Sequence, residues 1–147
     1  MHYYLNINSF INRKMGLIQY EYPSSDEKYL ECDGIITDET GKAVDFCRTP
    51  IVENRDIILH NIDGIYGEAI LCEYVLNCIN EPPSSKLAIR QFIDERHRPY
   101  KCLVKHIYCK RCLGCVGCYV YYTPNVHNKH KMDMFIVETL MTNFKLH

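Results

Sequence analysis

The chain has 147 residues, enough for one domain or for a small domain with an appended module. Hydrophobic residues make up 47% of it, which argues against disorder, and no stretch approaches the roughly 20 apolar residues that span a bilayer. The 17 basic and 18 acidic residues nearly cancel, yet they are unevenly placed. Residues 1–95 carry 8 Lys/Arg against 16 Asp/Glu, whereas residues 96–131 carry 8 Lys/Arg and no carboxylate. An acidic front and a basic back present physically different surfaces.

In chain order, residues 1–22 mix Tyr, Ile, Leu and Phe and suit a short helix or strand, with a turn at Tyr22-Pro23-Ser24-Ser25-Asp26. The stretch Cys32–Val44 reads as two short extended pieces around Gly-containing turns, and Asp56–His60 reads as a further strand. After a turn at Asp63-Gly64, the spacing of Tyr66, Ala69, Ile70, Val75 and Ile79 predicts an amphipathic helix. Pro82 and Pro83 stop it, and Ser84 or Ser85 can cap a second helix through Ile93. Phe135, Ile136, Thr139 and Leu140 predict a last helix from about Met132 to Phe144. The expected fold class is therefore α+β.

The strongest chemical signal is the run Cys109-Lys-Arg-Cys112-Leu-Gly-Cys115-Val-Gly-Cys118. Extended both ways, it becomes Cys102, His106, Cys109, Cys112, Cys115, Cys118, His127 and His130, eight donors within 29 residues. Zn(II) takes thiolate and imidazole ligands in tetrahedral structural sites, with Cys-x2-Cys as a common half-site, so eight donors predict two ions. Gly114 and Gly117 suit tight turns around a metal. An iron–sulfur cluster is the competing reading, because Cys-x2-Cys-x2-Cys runs also ligate clusters, but it would leave the histidines idle. The nine cysteines, with no secretory signal legible at the N-terminus, favour a reducing intracellular compartment where clustered thiols bind metal. Cys72 and Cys78 read as core residues, while Cys32 and Cys47, fifteen positions apart, could be half of another site but lack the Cys-x2-Cys knuckle and read as structural. His60 reads as an ordinary packed or surface residue.

A catalytic zinc keeps an open position, and neither a His-Glu-x-x-His helix nor a deaminase-type His-x-Glu…Cys-x-x-Cys pattern is present, so enzymatic bond chemistry is not expected. The basic segment interleaves Lys101, Lys105, Lys110 and Arg111 with Tyr119 and Tyr121, a combination suited to phosphates and unpaired bases. The plainer explanation is that zinc loops need solvated residues between their ligands.

The spacing Cys102-x3-His106-x2-Cys109-x2-Cys112 matches the central ligands of RING fingers. The stretch Asp63-Gly64-Ile65-Tyr66-Gly67-Glu68-Ala69-Ile70, with Tyr74-Val75, Pro82-Pro83 and Phe92-Ile93, is similar to a U-box core. Together they resemble the small baculovirus U-box/RING-like proteins, a family implicated in nucleocapsid assembly. The resemblance covers roughly residues 30–130, and with the elements above it divides the chain into an N-terminal extension (1–29), a U-box-like core (30–98), a Cys/His zinc module (99–131) and a C-terminal helix (132–147). It also implies capsid components as partners, in the host nucleus and the virion nucleocapsid. In ligating relatives a first-loop apolar residue and a second-loop proline touch the ubiquitin-conjugating enzyme, which points here to Ile35 or Ile36 and to Pro82 or Pro83. The expected function is thus a zinc-built assembly and protein-interaction module. The alternatives are a RING/U-box-type ubiquitin ligase and a nucleic-acid-binding zinc protein.

Overall fold

The computed structural model describes residue 21 and residues 28–80 and 86–146. Twelve strands run in chain order: β1 (Lys28–Cys32), β2 (Ile35–Thr37), β3 (Ala43–Phe46), β4 (Pro50–Glu53), β5 (Ile57–Asp63), β6 (Glu68–Cys72), β7 (Cys78–Asn80), β8 (Ala88–Ile93), β9 (Pro99–Cys109), β10 (Cys115–Tyr122), β11 (Phe135–Glu138) and β12 (Thr142–Leu146). The helical pieces among the described residues are short 3-10 turns, at Asn54–Asp56, Val126–Lys131 and Thr139–Met141.

The fold is therefore sheet-dominated, which corrects the α+β expectation. The helix predicted through Tyr66–Ile79 is β6 and β7, the helix ending at Ile93 is β8, and the C-terminal helix is β11 and β12. The reason is burial on two faces. Ala69-Ile70-Leu71-Cys72 and Phe135-Ile136-Val137-Glu138 are buried at every position. Strands covered on both sides lose the alternation that marks a half-buried strand, and their continuous apolar runs mimic helical spacing. Ser84, Ser85, Pro82 and Pro83 lie outside the described residues, as do positions 1–20. The two strands read near Cys32–Val44 form the β2–β3 hairpin, and the one read at Asp56–His60 falls almost wholly in β5.

A seven-stranded antiparallel sheet runs β5-β6-β11-β10-β9-β7, with β8 also paired to β9. A three-stranded sheet, β12-β1-β4, joins both ends of the described chain, and β2-β3 forms a separate hairpin. One core lies between the two larger sheets, where Leu30, Ile51 and Val52 meet Ile70, Ile107, Tyr119, Phe135 and Val137. A second core, with Leu71, Phe92, Tyr100, Cys102, Val104, Cys118 and Ile136, fills the other face of the large sheet. That sheet curls around it: the Ile93 N–H at the end of β8 donates to the Asp63 carboxylate of β5 (2.9 Å), so strands far apart in the sheet meet. The turn expected at Asp63-Gly64 is closed by the Gly64 N–H to the Gly67 carbonyl (2.7 Å). It is anchored by the buried Glu138 carboxylate, which accepts from the Ile65 and Tyr66 N–H groups (3.0 and 2.8 Å) and whose pKa is raised by burial.

Candidate metal centre

Cys32 ends β1 and Cys47 follows β3, so the β2–β3 hairpin brings together two thiols fifteen positions apart. Its base is closed by the Cys47 N–H to the Gly34 carbonyl (2.9 Å) and the Arg48 N–H to the Cys32 carbonyl (3.2 Å). Cys109 ends β9, and Cys112 lies in the tight turn leading to β10. There the Leu113 N–H donates to the Cys109 carbonyl (2.9 Å), and the Cys109 N–H to the Gly114 carbonyl (2.8 Å). The residue after the second cysteine of each pair has positive φ, Arg48 at 54° and Leu113 at 63°, a conformation costing non-glycine residues roughly 1–2 kcal/mol. Both turns hold it so that the cysteines point inward.

The four sulfurs, Cys32, Cys47, Cys109 and Cys112, lie within 4.8 Å of one another. Cys32 Sγ stands 3.5 Å from Cys112 Sγ, and Cys47 Sγ 3.5 Å from Cys109 Sγ. All nine cysteines are free thiols, and these separations are far beyond the roughly 2.05 Å of a disulfide bond. Four thiolates at the ~2.3 Å zinc–sulfur distance form a tetrahedron with edges of about 3.8 Å, so the cluster fits a single ion. It leaves no room for the irons and sulfides of a cluster between the thiols. Cys32, Cys47 and Cys109 are buried and Cys112 is half-buried.

Three further features shape the cluster. The Gly34 N–H points at Cys32 Sγ (3.4 Å) and the Gly114 N–H at Cys112 Sγ (3.5 Å), each from two residues downstream. A Cβ on Gly34 would stand 2.8 Å from Cys112 Sγ and 3.3 Å from Cys32 Sγ, so the absence of a side chain there admits the fourth sulfur. Arg111 donates through Nη1 to the Cys47 carbonyl (3.0 Å), tying the β9–β10 turn to the hairpin base. Without metal, the hydrogen bond from Cys32 holds the Cys109 thiol down to about 5, helped by the Cys112 and Arg111 N–H groups. The same bond, together with burial, raises Cys32, and burial raises Cys112. The cluster thus favours one thiolate and retains protons that a metal would displace.

Of the eight donors expected from the sequence, Cys109 and Cys112 enter this centre. Cys102 and Cys118 face the second core, where burial pushes both thiols up. The period of two along β9 explains this: seven positions separate Cys102 from Cys109, so they point to opposite faces and cannot share an ion. His106 pairs in register with Cys118, and its ring lies 3.4 Å from the Arg90 guanidinium. Cys115 is half-buried at the start of β10, with Sγ 3.6 Å from the Gly117 carbonyl. His127 and His130 are exposed on the 3-10 turn Val126–Lys131. Among the described residues one group of ligating donors is present, where two ions had been expected.

Cys32 and Cys47, which lack a Cys-x2-Cys knuckle, complete the group that could hold a metal. A usable signal existed, since Cys32-Asp33-Gly34 repeats the Cys-x-Gly of Cys112-Leu113-Gly114. Ile35 is exposed beside the centre on β2, and Ile36 packs against the first core. Of the residues considered for nucleic acid, Lys101 and Arg111 are exposed, Lys110 and Tyr121 are half-buried, and Lys105 is buried. Tyr119 is 2% exposed; its ring packs edge-on to Tyr121 and Phe135, and its hydroxyl donates to Asp133 (3.0 Å), so no ring face is offered to a base. No helix among the described residues is long and apolar enough to cross a membrane. No protein-family model matches the chain, and no curated protein matches it.

Proposed function

We propose that this chain is a zinc-stabilised β protein that acts as a protein-interaction module, with one structural Zn(II) held by Cys32, Cys47, Cys109 and Cys112. The observation that carries the reading is the convergence of four thiols within 4.8 Å, from two turns far apart in sequence. Four thiolates complete a tetrahedral shell and leave no position for water, the arrangement of a structural site. The ion's role is to fix surface loops. On the hairpin and the turn that carry the thiols, Ile35, Val44, Phe46 and Leu113 are each 49–62% exposed, apolar side chains that a partner would cover. The setting we propose, a viral nucleocapsid, is supported by sequence resemblance alone.

The ligase alternative rests on the same resemblance, and the helices that a U-box-like core would supply are strands here. The experiment is elemental analysis of purified protein, followed by chelation. About one zinc per chain is expected, and its removal should cooperatively loosen the β2–β3 hairpin and the β9–β10 turn, because structural zinc contributes on the order of 10 kcal/mol to folding. A metal-free protein with the same hydrogen-exchange protection at both turns would overturn the reading.

A further inference from the structure

We propose that Cys78 is an oxidation partner of the metal centre: a peroxide joins it to Cys109 in a disulfide and thereby expels the metal. The inference rests on the metal-site reading above and extends it to a fifth thiol. Cys78 on β7 is the direct register partner of Cys109 on β9. The Lys110 N–H donates to the Asn77 carbonyl (2.8 Å), the bond that brackets a non-hydrogen-bonded pair at Cys78 and Cys109. Such pairs hold their Cα atoms about 4.5 Å apart with both side chains on one face, inside the roughly 4.4–6.8 Å window that a disulfide needs. Both residues are fully buried in the same core.

Neighbouring ligand sulfurs are also close, at 3.5 Å, but each such pair bridges two separate loops and is not set by strand register. The Cys78–Cys109 pair is set by strand register and persists when the ion leaves. In the step itself, the Cys109 thiolate attacks one peroxide oxygen, the O–O bond breaks, and Cys109 becomes a sulfenic acid as the other oxygen leaves as hydroxide, which takes a proton from solvent to become water. Cys78 sulfur then attacks Cys109 sulfur, the S–O bond breaks, and the second oxygen leaves as water with the Cys78 proton. Two thiols give two electrons to one peroxide, while zinc remains divalent and departs from a shell that has lost a donor.

The test treats the full chain with hydrogen peroxide, follows zinc release with a colorimetric chelator, and maps disulfides by mass spectrometry. The expected result is a Cys78–Cys109 cross-link, with the loss of two titratable thiols per ion released, reversed by dithiothreitol and zinc. In Cys78→Ala that cross-link is absent and release at the same dose is slower. Bonds confined to Cys32, Cys47, Cys109 and Cys112, with Cys78 still free to alkylation, would overturn the proposal, as would unchanged release from Cys78→Ala. If that variant does not fold, the wild-type map decides. Protein that purifies without zinc tells against the metal reading, and its disulfide map still decides this one.

Discussion

Gly34 and Gly114 each aim an N–H at a sulfur two residues upstream, and Arg111 ties the two turns together. The two N–H groups offer hydrogen bonds to the sulfurs of Cys32 and Cys112, and the Arg111 bond fixes the backbone at Cys47. Cys109→Ser and Cys47→Ser should each lower zinc affinity by about a hundredfold or more, since each ligand carries roughly a quarter of a binding free energy of about 10–16 kcal/mol. Cys115→Ser and His130→Ala should leave it within about threefold, because neither lies in the shell; competition with a chromophoric chelator reads both. The pH dependence follows from the protons retained without metal. Cys32 and Cys112 are raised, so both stay protonated at neutral pH, whereas Cys109, at about 5, is already a thiolate. Binding therefore releases at least two protons, and apparent affinity should fall by at least about a hundredfold for each unit that pH drops below neutral, until Cys109 also protonates near 5 and steepens the fall. A flat profile between pH 8 and pH 6 would contradict the assignment. Half of this centre was legible in the sequence, because Cys109-x2-Cys112 is a local pattern. The other half was not, because a hairpin separates Cys32 from Cys47, and the Cys-x-Gly signal at Cys32 also occurs at Cys115-Val116-Gly117, where it serves packing.

At the scale of elements, Gly117 explains that false echo. It lies in β10 opposite Val137 of β11, and a Cβ there would fall on the Ile136 carbonyl. Gly117→Ala should therefore push β10 and β11 apart and cost on the order of 2–4 kcal/mol, measured as a shift in the denaturant midpoint, while zinc content in the folded fraction stays unchanged. A shift below the scatter of ordinary surface substitutions would show that the close approach is not there. The same pair of strands shows why the helices were misread. β11 has one core on each face, Phe135 and Val137 in the first and Ile136 in the second, so the whole strand is buried and a run with no alternation carries no strand period to read. The β2–β3 hairpin was legible for the opposite reason: its glycine turns are local and its residues are mostly exposed.

For the whole molecule, the metal centre is where separate parts of the chain are joined. Cys32 belongs to the three-stranded sheet, Cys47 to the end of the hairpin, and Cys109 and Cys112 to the large sheet and its turn. The paired sulfurs are 80 and 62 positions apart in sequence, so an ion holding them closes long loops whose closure entropy the polypeptide would otherwise bear unaided. Such a centre is invisible to any reading of one contiguous segment, which is why the basic Cys/His stretch drew eight candidate donors and two ions. Zinc X-ray absorption on the purified protein tests the central claim most directly. The account predicts one ion whose shell is fitted by four sulfurs at about 2.3 Å with no imidazole scattering. A mixed sulfur and nitrogen shell, with ligands from the 102–130 segment and Cys32 and Cys47 free to alkylation, would contradict it.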